Sequence, residues 1–98
     1  MDWEKPLPGF RLLLFEMTDY AMNSHRFYYL AWQPTLLDAG TVVRIWGRKG
    51  GQQRHLSPQP FASLEDAWPL LRSIIKTRLR HGYRVALSET GEDHDHLL

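Results

Sequence analysis

Cysteine is absent from this chain, which excludes disulfides and thiolate metal centres and fits a reducing compartment. Long apolar runs are missing as well. The longest clear one, Leu12-Leu13-Leu14-Phe15, falls far short of the ~18 residues that a membrane helix needs. The amino terminus, Met-Asp-Trp-Glu-Lys-Pro, lacks the basic-then-apolar order of a secretory signal. No phosphate-loop or dinucleotide glycine pattern occurs, and no Ser stands in a recognisable nucleophile context. These absences lead to the expectation of a cytoplasmic, non-enzymatic protein with no cofactor, no membrane association and no evident small-molecule substrate.

What is present is a globular composition of 98 residues, 43% hydrophobic and 12% aromatic, enough for one domain with a single modest core. The net charge is +1, but acids are scarce in the middle of the chain. Residues 39–84 hold nine Arg or Lys against only Glu65 and Asp66, whereas residues 85–98 hold four acids and no base. Such a basic middle either attracts an anionic partner or is simply a set of solvated surface charges.

The hydrophobic pattern divides the chain into a lead-in over 1–9, a domain over 10–87 and an acidic tail over 88–98. Phe10 to Met17 reads as a strand, apolar on both parities, and Arg26 to Gln33 as an aromatic-rich second strand. A third strand covers 41–48, and a short polar one lies around Gln52 to Ser57, after which Pro58 and Pro60 are expected to break pairing. Ser63-Leu64-Glu65-Asp66 resembles a capping box, opening a helix that runs to about His81 and stops at Gly82. Pro69 conflicts with that start. Either the first turn is distorted, or Asp66 is the true cap and Pro69 lies in the permitted first turn. Val85-Ala86-Leu87 is a further short strand candidate. The fold class is therefore α+β: an antiparallel sheet of four or five strands with the 64–81 helix across one face. The expected core is Phe10, Leu12, Leu14, Phe27, Tyr29, Val43, Ile45, Leu71, Ile74 and Ile75.

The chemistry centres on Trp46-Gly47-Arg48, where the third strand meets the turn Lys49-Gly50-Gly51-Gln52. Strand alternation sends Val43 and Ile45 one way and Arg44, Trp46 and Arg48 the other. If the first pair faces the core, the opposite face shows a Trp between two arginines. An aromatic can stack on a base or sugar, and guanidiniums can fork onto phosphate oxygens. The alternative is that Trp46 packs into a second small core covered by the arginines. On the helix, Arg72, Lys76 and Arg80 form a stripe at i, i+4, i+8 that reads as a solvated edge. Arg78 falls at the centre of the apolar face, and either snorkels past the core or crosses to the sheet in support of the basic surface. Glu92-Asp93-His94-Asp95-His96 has metal-capable side chains, but a terminal tail does not preorganise a selective site, so no metal site is assigned.

Asn23-Ser24-His25-Arg26-Phe27-Tyr28, Trp46-Gly47-Arg48, Gly50 and Gln52, Pro60 to Ala67, and Arg80-His81-Gly82-Tyr83 follow one another in an order that resembles a WGR domain. That module occurs in nuclear poly(ADP-ribose) polymerases and in short bacterial proteins of largely unassigned role. The resemblance covers roughly residues 10–84 and implies an antiparallel sheet packed on one helix, without catalytic machinery. In the polymerases the domain contacts DNA ends through backbone and sugar and relays contacts to neighbouring domains. It implies that Trp46 packs near a terminal nucleotide and that Arg48 serves interdomain contact. The segment after the motif, Lys49-Gly50-Gly51-Gln52, is tighter than the usual form, and a relay partner is expected in trans. The expected function is binding of a DNA backbone or end through Arg44, Trp46, Gly47, Arg48, Lys49 and Arg54, with Arg78 in support. The alternative is a protein-interaction module that uses Trp46 and Arg48 as anchors.

Overall fold

The structure, a computed structural model, describes residues 2–90. Three long strands, β1 (Leu12–Asp19), β2 (Ser24–Pro34) and β3 (Gly40–Arg48), form a meander. The short strands β4 (Gln53–His55) and β5 (Gln59–Phe61) follow, then α1 (Leu64–Arg80) and β6 (Arg84–Glu89). The strand order is β4-β3-β2-β1-β6, with every pairing antiparallel. β5 also pairs with β3, end to end with β4, so six strands occupy five positions. Pro60 therefore sits within a strand opposite Thr41, where pairing was expected to fail. The position is an edge, and an edge strand tolerates a missing N–H on its open side.

The core lies between α1 and one face of the sheet. Ala67, Trp68, Leu71, Ile74 and Ile75 of the helix pack with Leu13, Phe15, Tyr28, Leu30, Trp32 and Val42 of the strands. Phe10 joins them, its ring set edge-on to Trp68 at 5.6 Å. Phe10, Leu71, Ile74 and Ile75 are core residues as expected. Leu12, Leu14, Phe27, Tyr29, Val43 and Ile45 are not: they alternate onto the helix-free face and are half-buried. There they shield one another across the ladder, Leu14 beside Tyr29 beside Ile45. The parity is reversed on all three strands. Each carries apolar or aromatic side chains on both parities, so alternation groups the residues without saying which group the helix covers.

Ser63 caps α1, its hydroxyl accepting the Asp66 N–H at 3.1 Å, so the helix starts there with Pro69 inside it. Pro69 deprives only the Glu65 carbonyl of an N–H, and both residues are solvent-facing. At the other end Gly82 has φ 90°, with its N–H donated to Leu79 O and that of Tyr83 to Arg78 O, each at 3.1 Å. This is a Schellman closure, which the absent Cβ of glycine permits. It turns the chain into β6, which extends past Leu87 to Glu89. Residues 91–98, most of the expected acidic tail, lie outside the described residues, and the His94/His96 cluster with them.

The lead-in segment is docked along the helix. Trp68 Nε1 donates to Trp3 O at 2.7 Å. Glu4 pairs with Arg72 at 3.4 Å and with Lys76. Two of the three residues in the basic helical stripe are thus engaged by Glu4.

Candidate functional site

β3 changes character along its helix-side parity. Val42 is fully buried, Arg44 and Trp46 are half-buried and Arg48 is exposed. Arg44, Trp46 and Arg48 do share one face, but it is the face that packs against α1, because Val43 and Ile45 point away from the helix. The antiparallel register sets Tyr28 and Arg54 on either side of Trp46, and Arg26 opposite Arg48.

Trp46 is half-buried and braced. Its ring stacks on Tyr28 with centroids 5.6 Å apart and planes 12° from parallel, and it packs against the edge of the main core. Tyr28 in turn receives Arg44, whose Nε donates to the phenol oxygen at 2.8 Å. From the helix, Arg78 crosses to the sheet. Its guanidinium lies 4.8 Å from the Tyr28 centroid and 5.3 Å from that of Tyr83. Both distances are within cation–π range. The Schellman turn makes this second contact, because it is Tyr83 that bonds back to the Arg78 carbonyl. Of the two readings of Arg78, crossing to the sheet is the one realised.

A cleft of about 400 Å³ opens at this end of the domain. Trp46 and Tyr83 form its aromatic walls, Gly47 and Gln52 line it beside the β3–β4 turn, and Arg26, Arg48 and Arg54 supply its charge. No acid lines it. The glycine is required there by close approach: a Cβ at 47 would come within 2.4 Å of Gln52 O. The β4 backbone can therefore lie against β3 and bring Arg54 beside Trp46 only if residue 47 has no side chain.

Four of the residues expected from sequence, Trp46, Gly47, Arg48 and Arg54, thus meet in one cleft. Arg44 does not line it, being turned to the gap beside the helix. Lys49 lies outside it too, and is paired with Glu16 of β1 at 2.5 Å. That hydrogen bond with Lys49, together with its charge, holds the Glu16 carboxyl below the usual carboxylate range; Lys76, aided by Arg72, does the same for Glu4. Sequence reasoning missed Arg26 and Tyr83 as site residues. The signal for Arg26 lay in the β2–β3 register, and that for Tyr83 in the turn geometry after Gly82.

The use of acids around the molecule is uneven. Lys49, Arg72 and Lys76 have carboxylate partners. Among the described residues, Arg26, Arg44, Arg48, Arg54 and Arg78 have none, as is also true of Lys5, Arg11, Arg80 and Arg84. Five guanidiniums are gathered on and around one aromatic stack without neutralisation.

The model of the WGR domain family matches residues 11–90, most of the chain. The chain belongs to the WGR domain family. The match takes in all six strands and the helix, with Trp46-Gly47-Arg48 lying at the mouth of the cleft. WGR domains are binding modules rather than catalytic domains. Among curated proteins and solved structures, none matches the chain. Among the described residues no helix is long and apolar enough to cross a membrane, and no group of three His, Cys, Asp or Glu is placed to hold a metal ion.

Proposed function

We propose that this WGR domain is a non-enzymatic nucleic-acid-binding module that takes a DNA backbone or end in the Trp46 cleft. The observation that carries this reading is the convergence of Arg26, Arg48 and Arg54, none paired with an acid among the described residues, with Trp46 and Tyr83 on one cleft. Guanidiniums without carboxylate partners are free to fork onto phosphate oxygens. Trp46, backed by Tyr28, is a rigid ring that can pack on a terminal sugar or base with little entropy left to lose. In this reading the arginines take phosphate oxygens and Trp46 packs on the terminal nucleotide, so recognition is of backbone and end rather than sequence. The family's association with nucleic acid supports the same reading.

Salt titration of binding to a blunt-ended DNA duplex, followed by fluorescence anisotropy, tests it. Three phosphate contacts give a log–log slope of about −2.7. Arg48→Ala is expected to lower the slope by about 0.9, and Trp46→Ala to weaken binding. Absence of binding at low salt would overturn the proposal.

One observation favours a second reading, a protein partner anchored by Trp46 and Arg48. Tyr20 and Met22, 90% and 67% exposed, crown the β1–β2 turn just beyond the Arg26–Arg48 pair. Exposed apolar side chains beside a basic aromatic cleft suit a protein surface. Failure of DNA binding would direct attention there.

A further inference from the structure

The Tyr28–Trp46 stack has a second cleft on its helix side. It measures about 190 Å³, and Arg44, Arg78, Ser73 and Thr77 line it together with Tyr28. Here too no acid is present among the described residues. Arg44 uses its Nε on the Tyr28 hydroxyl, which fixes the guanidinium plane and leaves its terminal nitrogens without a partner among the described residues. Arg78 is the more unusual of the two. Among the described residues its buried Nε has no hydrogen-bond partner, and its charge is met by the rings of Tyr28 and Tyr83. A buried N–H donor left without an acceptor costs free energy, which an anion beside this half-buried guanidinium would recover. Ser73 and Thr77, one helical turn apart on the facing side of α1, add two hydroxyl donors at the rim.

We propose that this helix-side cleft is a second phosphate site, which seats a backbone phosphate of the same nucleic-acid strand whose end lies in the Trp46 cleft. This rests on the nucleic-acid reading above. Tyr28 is the shared wall: it stacks on Trp46, which faces the first cleft, and it holds Arg44 and Arg78 at the second. A strand crossing this wall meets three arginines before it and two after. The helix thereby becomes part of the binding surface, through side chains that the Trp-Gly-Arg motif does not include.

The test places a carboxylate in the second cleft. Ser73 is exposed on the helix, so Ser73→Glu leaves the core untouched and offers Arg44 and Arg78 an internal competitor for the phosphate. Thr77→Glu, one turn on, repeats the test from a second position. Gln33→Glu, an equal charge change at an exposed site on β2, measures the general electrostatic effect. In duplex salt titrations, Ser73→Glu is expected to weaken binding roughly tenfold beyond Gln33→Glu, as loss of a charge-assisted contact does. Its slope should fall by about 0.9. Ser73→Lys is expected to strengthen binding instead. If both glutamate variants merely track Gln33→Glu while Arg48→Ala still weakens binding, the second site is refuted and the Trp46 cleft stands. If the wild-type chain does not bind the duplex at all, both are refuted.

Discussion

Gly47→Ala is the substitution whose outcome follows most directly from geometry. A Cβ at this position would stand 2.4 Å from Gln52 O and 3.3 Å from Gln53 Cα. A carbon–oxygen approach normally stops at about 3.3–3.6 Å, so the two backbones must separate by about 1 Å. The yielding partner is β4, which only three residue pairs hold to β3: Ile45 with His55, Trp46 with Arg54 and Gly47 with Gln53. All three residues of β4 are exposed, so little buried apolar area is lost when it lifts. The cost is then the ladder itself plus residual strain, about 2 kcal/mol. For a domain of this size that lowers the melting temperature by about 10 °C. Thermal unfolding followed by circular dichroism measures it. Amide hydrogen exchange should show the loss concentrated at residues 53–55 rather than spread over the sheet. A melting temperature within about 2 °C of the wild type, with β4 still protected, would refute the close-approach argument. The same variant should weaken duplex binding, because Arg54 reaches the cleft only through β4.

Two further outcomes test other contacts. Trp68→Phe removes the donor to Trp3 O and leaves a void beside Phe10; urea unfolding should show a loss of about 2 kcal/mol, and residues 3–7 should become the first cleaved in limited proteolysis. Glu4 and Glu16 are both held below the usual carboxylate range by their lysine partners. A carboxyl with a lowered folded-state value adds stability that is complete above its unfolded value and is lost as pH falls through the folded one. Stability should therefore decline below about pH 4.5, more steeply than in Glu4→Gln or Glu16→Gln, and carboxyl titration by NMR should place both midpoints under the ordinary range.

Much of the helix was legible because its ends are chemical. The Ser63 hydroxyl finds an N–H three residues on, and Gly82 supplies the positive φ that ends the run. The sheet was legible as a sheet but not as a surface. Leu12 to Phe15 and Arg26 to Trp32 are apolar or aromatic on both parities, so neither group declares itself to be the core. The cleft was partly legible for the same reason. Trp46, Gly47, Arg48 and Arg54 are close in sequence, whereas Arg26 and Tyr83 reach it through register and through the turn after α1. Lys49 shows the limit of proximity: next to Arg48 in the chain, it is held outside the cleft by Glu16.

By itself the sequence determined which residues travel together. A period of two ties Arg44 to Trp46 and Arg48 whatever the strand packs against, and the ordered segments around Trp46-Gly47-Arg48 determined the family. Only the tertiary structure decided which side of the sheet α1 covers, and so whether Trp46 would stand free or be braced. That choice depends on how the side chains of five strand positions and a helix fill one interior together. No single strand carries that information. The same packing gathers five arginines around Tyr28 and Trp46, none with a carboxylate partner among the described residues.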